Sequence, residues 1–277
     1  MRQRQRDGSP LNIAATWVGT HALGPGRRSV AWVQGCPFRC AGCVAPDWIP
    51  DRPATAVWPD ELAEQLLADP EVTGLTFSGG EPMMQAAGLA AAARAARRAR
   101  SVSLICFTGF RLERLRADPP APGVADLLAE VDVLIDGRYV AAGNDGRGLR
   151  GSANQRVLHL TDRLRAWDTD LVSGPRTVEV AVSGPAALLI GVPPRGFVEV
   201  FDTAVDRLAA QGVGPDTENR PAGQGRRPDT ENRPAGQGRR PDAEHRLVGQ
   251  RVQPDAEHRL VGQRVQPGAE QQLSVEV

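Results

Sequence analysis

Cys36, Cys40 and Cys43 stand four and then three residues apart in Gly-Cys-Pro-Phe-Arg-Cys-Ala-Gly-Cys, so one short loop can bring all three thiolates to one metal centre. A ferredoxin-type cluster takes four thiolates, and a closed structural zinc site also takes four protein ligands. This stretch supplies three. The shortfall points to an iron–sulfur cubane with one iron left open to a substrate. Two other readings share the spacing: a zinc site completed by His21 or His159, or three ordinary buried cysteines. The fourth cysteine, Cys106, lies in an apolar run and reads as a small buried hydrophobe.

Other residues add to the candidate chemistry. In Ser78-Gly79-Gly80-Glu81-Pro82 the paired glycines let backbone approach a ligand closely, or simply form a tight turn. Asp136 ends an apolar run just before Gly137, as a site carboxylate or as a turn aspartate. Asn154 and Arg156 follow a glycine-rich loop; a guanidinium there can grip a carboxylate with two bonds or form a surface ion pair. Arg94, Arg97, Arg98 and Arg100 stud an alanine-rich stretch and read as a solvated helix face, with docking of an acidic electron donor as the other role.

The elements that must position these residues alternate in type. Residues 29–34 read as a buried strand feeding the cysteine loop, and 60–68 as a helix with Pro59 near its first turn. Residues 74–77 form a short apolar strand that runs into the Gly-Gly-Glu stretch. Residues 84–100 are strong helix formers; 102–108 and 133–135 read as strands around a helix over 124–130. Strands alternating with helices predict an α/β fold with a mostly parallel sheet. Chemistry in such folds gathers at the carboxyl ends of the strands, where both loops fall.

A chain of 277 residues accommodates one or two domains. Its 33 basic residues, all arginine, balance 33 acidic ones, so no overall field favours nucleic acid as a partner. The absence of lysine excludes Schiff-base chemistry. No run approaches the roughly 20 apolar residues of a membrane span. The basic start is followed by a short, polar-interrupted stretch at 11–18 rather than by a secretory leader. Cysteines grouped as three plus one do not suit a disulfide framework, and a cytoplasmic location is expected.

The last quarter differs in kind. Residues 215–227 (PDTENRPAGQGRR) are repeated identically at 228–240, and 241–253 (PDAEHRLVGQRVQ) at 254–266, a constant period of 13. That period matches no familiar solenoid. Regular proline, scarce aromatics and balanced charge predict a disordered tail over 213–277 beside a domain over 1–212, or else an array that binds a partner.

Four stretches in order resemble the radical S-adenosylmethionine (radical SAM) superfamily, in particular the activating proteins of glycyl-radical enzymes such as the anaerobic ribonucleoside-triphosphate reductase activase group. They are 24–36, the cysteine loop, 76–82, and 132–139 with 149–156. The resemblance implies a partial, incomplete β/α barrel, since a body of about 210 residues is short for eight units. It implies a 4Fe–4S cluster on Cys36, Cys40 and Cys43, and S-adenosyl-L-methionine against Ser78, Gly79, Gly80 and Glu81, with Asp136, Asn154 and Arg156 nearby. The implied reaction is reductive cleavage of S-adenosylmethionine, leaving a glycyl radical on a partner enzyme, with flavodoxin or ferredoxin as electron donor. A radical SAM enzyme acting on a small molecule or peptide is one alternative. A non-catalytic iron–sulfur or zinc-binding module is another. The chain departs from the pattern at Val44-Ala45-Pro46, where many activases carry His or Tyr and then Asn-Pro, and at Gly42, where many radical SAM enzymes carry an aromatic.

Overall fold

The computed structural model describes residues 9–183, 186–197, 199–201, 203 and 272–276. In chain order the strands and helices are β1 (Leu11–Thr20), β2 (Arg28–Val33), β3 (Thr55–Val57), α1 (Pro59–Leu66), β4 (Gly74–Gly79), α2 (Ala86–Ala99), β5 (Ser103–Thr108), α3 (Leu112–Ala117), α4 (Val124–Glu130), β6 (Val133–Asp136), β7 (Arg156–His159), α5 (Asp168–Ser173), β8 (Thr177–Ser183), β9 (Ala186–Gly191) and β10 (Gln272–Glu276).

Seven strands form one sheet in the order β3-β1-β2-β4-β5-β6-β7. Its centre, β2-β4-β5-β6, is parallel. The flanking strands β1, β3 and β7 run antiparallel to their neighbours. The split follows the connections: helical crossovers join the parallel strands, whereas β2 follows β1 after a short turn that permits only a reversal. Alternate side chains of each strand go to opposite faces. Ala31, Val33, Leu75, Phe77, Leu104, Cys106 and Leu134 join one core with the inner faces of α1, α2, α3 and α4. Val30, Trp32, Ile105, Val133 and Ile135 join a second core with Trp48, Leu149 and Ile190. Helix α2 fits its sheet because Ala86, Leu89, Ala90, Ala93 and Ala96 repeat at helical spacing and are all buried.

Several expectations need adjustment. Residues 11–18 are the body of β1, with Leu11 and Ile13 buried. Helix α2 begins two residues late, after a 3-10 turn over Pro82–Gln85. The arginine stripe is not uniformly solvated. Arg97 pairs with Glu130 at 3.0 Å and Asp132 at 2.7 Å, and Arg100 donates to the Asp69 carbonyl at 2.8 Å, while Arg94 and Arg98 stay on the surface. Two of the four are therefore committed to the fold. The repeats at 215–266 lie outside the described residues. Beyond them, β10 adds antiparallel to β8 in a small sheet ordered β10-β8-β9. Among the described residues no helix is long and apolar enough to cross a membrane.

Candidate functional site

The four parallel strands end at one place, and a cavity of about 510 Å³ opens there. Cys36, Cys40 and Cys43 line it from the loop after β2, and Ser78, Gly79, Gly80 and Glu81 from the end of β4. Thr108 and Gly109 lie at the end of β5, Gly137 and Tyr139 follow β6, and Leu189, Gly191 and Pro193 close the wall from β9 onward. Both sequence-predicted loops thus meet in one cavity.

The cysteine loop leaves β2 through backbone bonds that fold it against 48–50: Gly35 N–H donates to the Trp48 carbonyl and Cys36 N–H to the Ile49 carbonyl, each at 2.9 Å. Gln34 Nε2 donates to the carbonyls of Pro50 (2.7 Å) and Asp47 (3.1 Å). Trp48 is buried against Trp32 with ring centroids 5.7 Å apart. All three cysteines are unpaired and half-buried. Burial, aided by the Glu81 carboxylate, pushes the Cys36 thiol up to about 11, against a backbone N–H at Phe38 that lowers it. Burial raises Cys43 as well. Thiols held this way become ligands only when a cation displaces their protons.

Three soft donors on one cavity wall, free of disulfide bonds, are the ligand type iron–sulfur clusters take, one short of a closed ferredoxin-type set. Among the described residues no three His, Cys, Asp or Glu side chains stand where one ion would join them. A cubane differs in that it takes each thiolate on its own iron. Neither histidine considered for a zinc site lines the cavity. His159 Nε2 lies 2.8 Å from Asp168 Oδ1, and His21 borders a smaller pocket. Cys106 is fully buried in the helix-side core, as expected of a hydrophobe.

The Gly-Gly-Glu stretch is shaped by its neighbours. Gly79 has φ +104°, and a β-carbon there would stand 2.5 Å from the Val33 nitrogen and 2.7 Å from its oxygen. A β-carbon on Gly80 would strike the Gly35 carbonyl and approach the Trp48 oxygen at 2.9 Å. The glycines are thus required first by backbone of β2 and of the cysteine-loop entrance, which this stretch touches directly. Gly80 N–H donates to the Val33 carbonyl at 2.7 Å and Glu81 N–H to that of Gly35 at 2.9 Å. Glu81 is 1% exposed. One carboxylate oxygen accepts from Met83 N–H (3.0 Å) and the Thr108 hydroxyl (2.8 Å), the other from Gly109 N–H (2.8 Å). Burial raises this carboxyl to about 7 even so. Its oxygens are directed at the loops, which makes Glu81 a brace between β4 and β5.

Asp136 and Arg156 are drawn to one another, and neither they nor Asn154 line the cavity. Asp136 and Arg156 face each other across β6 and β7, where opposite charges attract. Arg156 Nε reaches Asp136 Oδ1 at 2.9 Å and forks onto Glu113 at 3.0 and 2.8 Å. Arg111 (3.1 Å) and Leu112 N–H (2.8 Å) complete the Asp136 shell. Burial pushes the Asp136 carboxyl up, but Arg156, the Leu112 N–H and Arg111 together hold it below its ordinary value. Asn154 Nδ2 donates to the Arg138 carbonyl at 2.8 Å. Neighbours of these residues reach the cavity instead: Gly137, Tyr139 and Gln155, whose amide holds the Gly137 carbonyl at 2.7 Å. Tyr139 also stands beside Gly42, with its ring 3.9 Å from where a β-carbon there would be. The same two motifs carry both sets, and only strand pairing tells them apart.

Residues 22–158 match a family described as a 4Fe-4S single cluster domain. Over 68 residues the chain is 40% identical to the pyruvate formate-lyase-activating enzymes of Staphylococcus aureus strains USA300 and NCTC 8325 / PS 47, covering 22% of this chain and 27% of each relative. The chain therefore spans about a quarter of the length of the curated relatives it matches. The cysteine loop and the Gly-Gly-Glu stretch both lie within the matched 4Fe-4S segment and converge on one cavity, and over part of its length the chain resembles the radical SAM activating proteins of glycyl-radical enzymes.

Proposed function

We propose that the protein is a radical SAM activase: it holds a 4Fe–4S cluster on Cys36, Cys40 and Cys43, binds S-adenosylmethionine beside it, and generates a glycyl radical on a partner enzyme. The observation that carries this reading is the convergence of three unpaired cysteines and the Ser78–Glu81 backbone on one cavity at the carboxyl ends of four parallel strands. Helices on one face of that sheet suit an open, partial β/α barrel whose other face carries the site.

When bound, the cluster and S-adenosylmethionine supply one-electron cleavage and the hydrogen abstraction that follows. The chain's own residues do the rest. Cys36, Cys40 and Cys43 ligate. Gly79 and Gly80 keep the floor of the cavity free of side chains, and Glu81 braces that floor to the β5 turn. Trp32, Trp48 and Phe107 give the wall an apolar lining that excludes water. The Asp136–Arg156–Glu113 network fixes the turn that presents Gly137 and Tyr139, and Asn154 secures the same turn through the Arg138 carbonyl.

The partner is proposed to be a glycyl-radical enzyme, with flavodoxin or ferredoxin as electron donor and the cytoplasm as compartment. Anaerobic incubation of the reduced protein and S-adenosylmethionine with candidate glycyl-radical enzymes is expected to yield a glycyl-radical doublet by electron paramagnetic resonance on one of them. Consumption of S-adenosylmethionine with no radical on any candidate, but with modification of a small molecule or peptide, would refute activation.

A further inference from the structure

We propose that Phe38 is a positioning residue: it seats the cysteine loop on the Thr108–Phe110 turn and thereby sets where Cys36 and Cys40 stand relative to the Gly-Gly-Glu floor. The inference rests on the cluster reading of the cavity, and its test separates the two.

Within 35–44 every residue is exposed or half-buried except Phe38, whose ring is 8% exposed. It sits midway between the first two cysteines and is the one buried side chain of this segment. Three groups hold it. The Phe110 ring meets it edge-on, with centroids 4.7 Å apart at 63°. The Arg138 guanidinium covers it 4.5 Å from the centroid. Its third contact is the α-carbon of Gly109, where any β-carbon would collide with Phe38 Cδ2 and Cε2. Gly109 does not have the positive φ that would itself demand glycine. The ring accounts for the missing side chain.

What Phe38 rests on is a junction. Gly109 N–H and the Thr108 hydroxyl both donate to Glu81, each at 2.8 Å. Gly137 N–H donates to the carbonyls of Thr108 (3.0 Å) and Phe110 (3.2 Å). The β5 turn thus fixes the loop after β4 and the loop after β6, and Phe38 is how the loop after β2 registers on it. Aromatic edge contacts and a guanidinium over a ring each add to the apolar burial of the side chain. Together they act on a loop held by few backbone bonds of its own.

The test is a size exchange in the full-length chain: Gly109→Ala, Phe38→Leu and the double variant beside wild type. In cluster-free, reduced protein, iodoacetamide alkylation of Cys36, Cys40 and Cys43 is followed by peptide mass spectrometry, with buried Cys106 reporting the global fold. After anaerobic reconstitution, the electron paramagnetic resonance spectrum of the reduced cluster is recorded. Gly109→Ala is expected to speed alkylation of the three loop cysteines about tenfold, as neighbours in contact couple, to alter the spectrum, and to leave Cys106 protected. Adding Phe38→Leu removes the collision and should return rates and spectrum to within about twofold of Phe38→Leu alone. Unchanged rates in Gly109→Ala, or a double variant carrying the product of both single effects, overturns the proposal. If Gly109→Ala exposes Cys106 as well, Phe38→Leu decides. Faster loop alkylation with Cys106 protected supports the proposal, and wild-type rates overturn it. Should wild type take up no iron while the rates follow the predicted pattern, Phe38 keeps its role and the cluster reading falls. Normal iron with one spectrum and one set of rates across all four proteins removes the role of Phe38 and leaves the cluster reading standing.

Discussion

Replacing Glu81 with Gln should change how the stability of the fold depends on pH, and the direction follows from the site. Burial moves this carboxyl from an ordinary 4.5 to about 7. Between those values the native chain holds a proton that the unfolded chain has released, so wild-type stability falls as pH rises from about 4.5 to 7 and levels off above. At about 1.4 kcal/mol per pH unit the full fall is about 3 kcal/mol. Carboxyls held below their ordinary values, such as Asp69, Asp136 and Asp145, act in more acid solution, so the difference in slope between wild type and variant over this window isolates Glu81. Glutamine does not titrate, so this slope should vanish in Glu81→Gln. The amide also turns an N–H toward one of three donors now facing carboxylate oxygens, at a cost of about 1–3 kcal/mol at every pH. Near pH 5 the variant should therefore be clearly less stable than wild type, and near pH 8 the two should meet or cross. Urea unfolding of the reduced, cluster-free full-length chain at pH 5, 6, 7 and 8 measures this. A wild-type stability that rises over that range, or a variant with the same slope as wild type, would refute the reasoning.

Gly79→Val should displace the β4 loop, since a side chain at φ +104° collides with Val33 backbone. A loss of about 2–4 kcal/mol in urea unfolding is expected, together with poor iron uptake even where the protein stays folded. Arg156→Ala should leave the Asp136 carboxylate with only Arg111 and the Leu112 N–H. Because Asp136 titrates below its ordinary value, the network adds stability above the carboxylate range and loses it as pH falls. The variant should therefore lose about 1–2 kcal/mol near pH 7, a figure reduced for the exposed side of Arg156, and much less near pH 3. Equal losses at both pH values would contradict the network.

Local patterns were easier to read from this chain than wiring. Cys36, Cys40 and Cys43, and Gly79 with Gly80, are local patterns at strand ends, and the parallel centre of the sheet follows from alternating strand and helix signals. Strand β1 was hidden because Asn12 and Thr16 interrupt its apolar residues and a register shift between Ile13 and Ala15 breaks the alternation that would otherwise mark it. The motifs at 132–139 and 149–156 lead to loops that border the cavity, but Asp136, Asn154 and Arg156 do not line it. Asp136 and Arg156 are partners in an antiparallel ladder, and that register leaves Tyr139 and Gln155 facing the cavity. The demand for glycine at 79 and 80 comes from β2 and the cysteine-loop entrance, and the ring of Phe38 lies on Gly109 across the sheet. Long-range contacts of this kind leave no trace in spacing, and neither does the pairing of β10 with β8.

The most direct test of the central claim is cleavage of S-adenosylmethionine by the reconstituted full-length protein under reducing, oxygen-free conditions, measured as 5′-deoxyadenosine and methionine. Wild type and Cys106→Ala should each release the two products in equal amounts, and Cys36→Ala, Cys40→Ala and Cys43→Ala should release neither. An intact, reducible cluster that leaves S-adenosylmethionine uncleaved, or cleavage that survives loss of all three loop cysteines, would contradict the account.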